Sequence, residues 1–144
     1  MEVKLLNDNL WYPTDKIFIN GQWKDCHSKK RLPIENPSNG EVIAEISDSC
    51  EIDIDEAVNS ASKALDNSWG DLTASERGRF LMKLSELVRN RIDNLAIIES
   101  FDVGKPLKQA KSDALALARY FEFYGGASDK IMGETIPYLK DYTV

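Results

Sequence analysis

The chain has one histidine, His27, and beside it lies one of only two cysteines, Cys26. A thiol next to an imidazole can contribute to a metal site or an activated nucleophile, but two neighbours in sequence make neither. The loop that carries them is polar and lysine-rich, so His27 reads as an exposed loop residue. Cys50 precedes a helix start, where a thiolate is favoured, yet Glu51, Asp53 and Asp55 crowd it with negative charge. It reads as inert. Asp53 and Asp55 form a carboxylate pair, but capping and the helix dipole account for acids in a first turn. Gly125-Gly126 falls inside a helical pattern, not between a strand and a helix, so it is no phosphate-cradling loop. Close helix packing explains it better. Tyr120, Phe121, Phe123 and Tyr124 can line an apolar ligand channel, and core packing explains the same spacing and is preferred. No residue is assigned a catalytic or cofactor-binding role.

The elements that must position these residues are legible in part. Residues 1–15 show no period and read as an arm draped over a surface. Residues 16–144 read as one unit. Ile17-Phe18-Ile19 and Gln22-Trp23 flank Asn20-Gly21, a strong hairpin signal because both turn positions need positive φ. Leu32 to Asn36 is extended, with Pro33 marking an edge or irregular strand. Pro37-Ser38-Asn39-Gly40 is a turn, and Val42 to Ile46 alternates as a strand should. Asp53 and Glu56 resemble a capping box that opens a first helix, with Ile54, Ala57, Val58, Ala61 and Leu65 on one face and Gly70 just past its end. Thr73 and Glu76 open a second, whose line of Phe80, Leu81, Leu84, Leu87, Val88, Leu95 and Ile98 is expected to be buried.

A third helix follows the Asp102-Val103-Gly104-Lys105-Pro106 turn and is expected to run to Gly133. Leu107, Ala110, Ala114, Leu117, Phe121, Tyr124 and Ile131 mark its buried face, and Ala116, Tyr120 and Phe123 widen the apolar arc. At ~100° per residue the arc spans roughly 200°, about twice the stripe of an ordinary surface helix. Such a helix needs cover on two sides, and this chain supplies one. Pro137-Tyr138-Leu139 and Tyr142-Thr143-Val144 are rich in strand formers, and the pattern reads as a chain cut in mid-strand.

Composition narrows the function classes. A net charge of −6 argues against nucleic acid, which demands a basic face. No apolar run approaches the ~20 residues of a membrane span. The first residues lack the apolar core of a signal peptide, so the cytoplasm is the default and the cysteines are expected as free thiols.

Read together, several segments resemble the N-terminal part of the aldehyde dehydrogenase superfamily. They are Phe18-Ile19-Asn20-Gly21-Gln22-Trp23, the run from Asn36-Pro37 to Ile43-Ala44, Ser75-Glu76-Arg77-Gly78-Arg79, Asp102 to Pro106, and Tyr124 to Lys130 followed by Gly133-Glu134-Thr135-Ile136-Pro137. Each is weak alone; their order and spacing are specific. The resemblance implies an α/β fold: a hairpin and short strands, then three long helices, mostly helical as it stands and forming part of the nucleotide-binding domain. It implies NAD- or NADP-dependent oxidation of an aldehyde to a carboxylic acid through a cysteine thiohemiacetal. The family's catalytic cysteine, glutamate and asparagine, and its phosphate-contacting turn, fall beyond this sequence.

The resemblance also implies a monovalent cation held by Ile34, Glu35 and Asp102, although helix capping by Asp102 is the preferred reading of that carboxylate. It places Ala116 and Tyr120 beside the substrate tunnel. Partners implied are the remainder of the dehydrogenase chain, an aldehyde and further copies in a homodimer or homotetramer, with no nucleic acid and no membrane. A reading of another class is a non-catalytic helical adaptor that binds a partner through the apolar face of Leu107–Ile131.

Overall fold

A computed structural model describes residues 14–134 and the backbone of 137–139 and 142–143. Most of the expected arm therefore lies outside the described residues. Its last residues, Thr14 and Asp15, form a turn, and the buried Thr14 offers its carbonyl to the Ser47 N–H at 3.1 Å.

β1 (Ile17–Ile19) and β2 (Gln22–Lys24) form an antiparallel hairpin. Asn20 and Gly21 take φ of 53° and 74°, the left-handed pair that a tight hairpin turn demands. β3 (Lys30–Glu35) and β4 (Val42–Asp48) form a second antiparallel pair. Pro33 sits opposite Glu45 and is tolerated because a two-stranded sheet leaves each strand an open edge. In the connecting turn the Asn36 side-chain oxygen accepts from the Ser38 N–H at 3.0 Å and the Ser38 hydroxyl at 2.7 Å. β5 (Pro137–Leu139) and β6 (Tyr142–Thr143) pair antiparallel, in agreement with the strand-former composition there.

The described residues form four helices where the apolar period suggests three. α1 (Glu51–Asp66) starts three residues earlier than expected. Asp53 is not its N-cap. It is the third helical residue and reaches back to the Cys50 N–H at 3.0 Å, while Glu56 pairs with Lys24 on β2. α2 (Ala74–Arg89) opens on the predicted box: the Thr73 hydroxyl accepts from the Glu76 N–H at 3.2 Å, and the Glu76 carboxylate accepts from the Thr73 N–H at 2.8 Å.

The expected second helix breaks at Asn90-Arg91, and α3 (Ile92–Val103) continues from there. Apolar periodicity runs across a two-residue break without registering it. Gly104, at φ 70°, ends α3 in the left-handed conformation that glycine adopts without strain. Asp102 and Val103 thus close a helix instead of opening a turn.

α4 (Leu107–Ala127) stops well before Gly133. The Ser128 hydroxyl donates to the Tyr124 carbonyl at 2.7 Å, and the Lys130 N–H closes a turn on Ala127, so Ile131 lies past the helix.

The core is the packing of α4 on α2 and α3, and its seam is built from small residues. Ala96, Ala110, Ala114 and Ala118 are buried on α3 and α4, and Gly78, Ser85 and Val88 on α2. The Ser85 hydroxyl donates to the Ala118 carbonyl at 2.7 Å. A Cβ on Gly78 would stand 2.6 Å from the Gly125 carbonyl oxygen, so the helices approach backbone to backbone there. This bears out close helix packing as the role of Gly125.

The wide apolar arc of α4 divides in two. The half carrying alanines and Gly125 is buried. The half carrying Leu117, Tyr120, Phe123 and Tyr124 is exposed, as are Leu107 near its start and Ile131 beyond its end. Leu107, Leu117, Tyr124 and Ile131 are therefore not on a buried face within these residues. On α2, likewise, Phe80, Leu84 and Leu87 point outward and only Val88 of the expected line is buried.

Candidate functional site

Among the described residues Asp53 is the most deeply placed ionisable group, 1% exposed. Its carboxylate accepts from the His27 N–H at 3.2 and 3.3 Å, and one of its oxygens lies 2.7 Å from His27 Nδ1. It also accepts from the Cys50 N–H at 3.0 Å and the Cys50 thiol at 3.3 Å. The His27 ring, then the Cys50 backbone N–H, hold the acid far below the usual carboxylate range against the opposing effect of burial. A buried carboxylate needs such donors. The arrangement stores a negative charge and fastens loop 26–28 to the head of α1.

Cys26 turns the other way. Its sulfur lies 3.6 Å from the Ser28 hydroxyl, whose hydrogen bond is the main cause pulling this thiol below its ordinary range. The sequence neighbours Cys26 and His27 thus serve different partners. Among the described residues no three His, Cys, Asp or Glu side chains gather as a metal site.

A second meeting point joins the β3–β4 turn to the α3–α4 link. A Cβ on Gly104 would stand 2.7 Å from the Pro37 ring, so Pro37 lies directly against the link. Between them is a groove of about 300 Å³ lined by Asn36, Ser38, Ser100, Phe101 and Lys105 among others. The Lys105 ammonium bridges Glu99 at 2.6 Å and Asp113 at 2.9 Å, and the first of these bonds is the main cause raising its pKa. Ile34 is half-buried at the end of β3, while Glu35 and Asp102 are exposed, and none of the three lines the groove. Asp102 does not cap a helix N-terminus: it lies in the last turn of α3, and the residue that precedes α4 is Pro106, with no side-chain cap.

On the outer half of α4, Ala116 and Tyr120 lie one turn apart, the first half-buried and the second 63% exposed. They share a helix side, as their spacing requires.

Residues 23–144 match the model of the aldehyde dehydrogenase family. The chain belongs to the aldehyde dehydrogenase family. It is 42% identical over 137 residues to human retinal dehydrogenase 2, covering 93% of this chain and 26% of that protein. To the mitochondrial benzaldehyde dehydrogenase of Antirrhinum majus it is 40% identical, covering 85% of this chain and 23% of the relative. The fold matches the NAD+ complex of an aldehyde dehydrogenase from Bacillus cereus with a TM-score of 0.81 at 35% identity, covering 89% of this chain and 26% of that one. It matches an NAD-dependent aldehyde dehydrogenase from Sinorhizobium meliloti with a TM-score of 0.80 at 29% identity, covering 88% and 26%. The chain thus spans about a quarter of the length of the relatives it matches. A free-standing helical adaptor is not favoured beside these likenesses.

Gly125 is buried against Gly78, Leu81 and Met82 inside α4, so the glycine pair offers no open backbone cradle to a pyrophosphate. The polar hubs around Asp53 and Lys105 escaped sequence reasoning. Asp53 and His27 lie 26 residues apart, and Lys105 draws its partners from both sides of a turn, so neither gives a local signal.

Proposed function

We propose that this chain is the architectural N-terminal part of an aldehyde dehydrogenase that oxidises an aldehyde to a carboxylic acid with NAD or NADP as hydride acceptor. The bound dinucleotide supplies the hydride-accepting chemistry. The residues described here supply support: a small-residue helix cluster, two hairpins and the polar hubs that fix their relation. NAD is the favoured acceptor, because the Bacillus cereus match is an NAD+ complex and the Sinorhizobium meliloti match is NAD-dependent. Assembly into a dimer or tetramer belongs to the same reading. Relatives of the chain include enzymes named as mitochondrial, so the reading assigns no compartment.

The observation that carries the proposal is the divided arc of α4. A helix whose small half is packed and whose large aromatic half is open is suited to sit between two layers. In this reading Ala116 and Tyr120 shape the aldehyde's path, supported by their position together on the open half. The cation expected at Ile34, Glu35 and Asp102 is supported by the Pro37–Gly104 contact, which draws their two segments together.

The test is direct. The purified 144-residue chain with aldehyde and NAD+ is expected to produce no NADH. A complex of the chain with the remaining segment of the Bacillus cereus enzyme is expected to produce it. An NADH burst from the chain alone, or an inactive complex, removes the proposal.

A further inference from the structure

Two asparagines of the chain stand before a glycine, Asn20 and Asn39. An Asn-Gly step carries its own chemistry. The glycine nitrogen can attack the asparagine side-chain amide, because no Cβ on the glycine obstructs the approach. Both steps sit in hairpin turns, both glycines hold positive φ, at 74° and 73°, and all four residues are exposed. A Cβ built on either glycine would meet nothing within 4 Å, so neither turn is crowded by the described residues. Dipeptide, glycine φ and exposure do not separate the two steps.

Hydrogen bonding does. At the β3–β4 turn the Gly40 N–H donates to the Asn36 carbonyl at 2.7 Å. The Asn39 amide is tied at both ends. Its oxygen accepts from the Glu41 N–H at 3.1 Å, and its nitrogen donates to the Glu41 carboxylate at 2.8 Å. Asn36 is itself buried and bonded to Ser38. The attacking nitrogen and the carbon it would reach are therefore both held. At the β1–β2 turn the closing pair is Ile19 with Gln22, which leaves Asn20 and Gly21 outside the ladder. Among the described residues neither the Gly21 N–H nor the Asn20 side chain has a hydrogen-bond partner. The strands on either side are only three residues long.

We infer that Asn20 is a self-modification site, converting to aspartate and isoaspartate in the folded chain while Asn39 is protected. The Gly21 nitrogen gives its proton to solvent base and bonds to the Asn20 Cγ. The Cγ–Nδ2 bond breaks, and the departing nitrogen takes up a proton and leaves as ammonia. The product is a succinimide ring. Water then adds to one of its two carbonyls. Opening at Cγ gives aspartate; opening at the main-chain carbonyl gives isoaspartate, with the backbone rerouted through the side chain. Nothing is oxidised or reduced, and water is the co-reactant.

Isoaspartate adds a carbon to the backbone of the turn, which unseats the Ile19–Gln22 and Phe18–Trp23 pairs. Either product also places a carboxylate where Asn20 borders a cleft of about 660 Å³ shared with Asp55, Glu56 and Lys63. Glu56 already pairs with Lys24, the contact that ties the hairpin to α1. A new negative charge facing Asp55 and Glu56 loosens that joint. The inference stands on the chemistry of the turn and does not depend on the dehydrogenase reading.

The test is peptide mass spectrometry of the aged chain. The 144-residue protein is held in mildly alkaline buffer, with and without urea, and digested at intervals with trypsin. Asn20 then lies in the peptide Ile17–Lys24 and Asn39 in the peptide Leu32–Lys63, where fragmentation locates the changed residue. In the folded chain Asn20 is expected to convert about tenfold or more faster than Asn39, and in urea the two rates converge. An Asp-directed protease separates the products, since it cuts at aspartate and not at isoaspartate. Asn20→Gln, whose longer side chain closes a larger and slower-forming ring, is expected to abolish the change in Ile17–Lys24 and to leave Asn39 as it was. Equal conversion of Asn20 and Asn39 in the folded chain overturns the inference. So does faster conversion at Asn39, a difference that survives in urea, or a change in Ile17–Lys24 that persists in Asn20→Gln.

Discussion

The α2–α4 seam and the attachment of α1 hold helices in opposite ways. The seam is close, with Gly78 against Gly125 and Ser85 bonded to the Ala118 backbone. α1 buries only Asp53, and every residue from 61 to 71 on its C-terminal half and exit is exposed. One helix pair is fixed by shape, which tolerates no added atom. The other helix is fixed by one charge and its donors, with the Lys24–Glu56 pair beside it. The packed seam is expected to be insensitive to pH and intolerant of volume. The α1 anchor is expected to be the reverse.

Breaking the seam gives the largest effect. Gly78→Leu forces a side chain against the Gly125 backbone, which cannot yield as a side-chain tip can. Overpacking of this kind costs about 3 kcal/mol, seen as a lower denaturation midpoint. Asp53→Ala comes next. It leaves the His27 and Cys50 N–H groups without their acceptor and is expected to cost about 2 kcal/mol, with amide exchange rising first in α1.

The same residue gives the pH test. Because the folded pKa of Asp53 is depressed, its stabilisation is present above the unfolded value near ~4 and is lost as pH falls through the folded value. Acid titration below pH ~4 is therefore expected to destabilise the wild type more steeply than Asp53→Asn. Parallel curves would remove Asp53 as the charged anchor. Thr73→Ala, which removes the α2 cap, is expected to cost about 1 kcal/mol. Arg89→Ala is smallest, about 0.5 kcal/mol and weaker in high salt, since both partners of that pair are exposed.

Local chemistry made much of the fold legible. Asn20-Gly21, Pro37 to Gly40 and Thr73 with Glu76 each specify their turn or cap within a few residues, and each stands where expected. The excess width of the α4 arc was also visible. Its division was not, because apolar periodicity counts Ala114 and Leu117 alike, whereas packing separates them by size: alanines let backbones approach, and the large side chains are left for another layer. The Asn90 break was hidden because Leu95 and Ile98 keep a helical count across it. Asp53 was misplaced for a related reason. Acids at the first and fourth positions of a helix start look like a box, but the true start lies at Cys50, and the His27 that bonds Asp53 comes from a distant loop. Of the candidate site, the family motifs showed which enzyme frame this is, while the buried hub could come only from tertiary contact.

The most direct measurement is sedimentation of the isolated 144-residue chain in the presence of a dye that reports exposed apolar surface. A chain whose α2 and α4 leave large apolar side chains uncovered binds the dye and associates as concentration rises. A monodisperse monomer that ignores the dye and melts cooperatively would contradict the claim that these helices are built to be covered by further polypeptide.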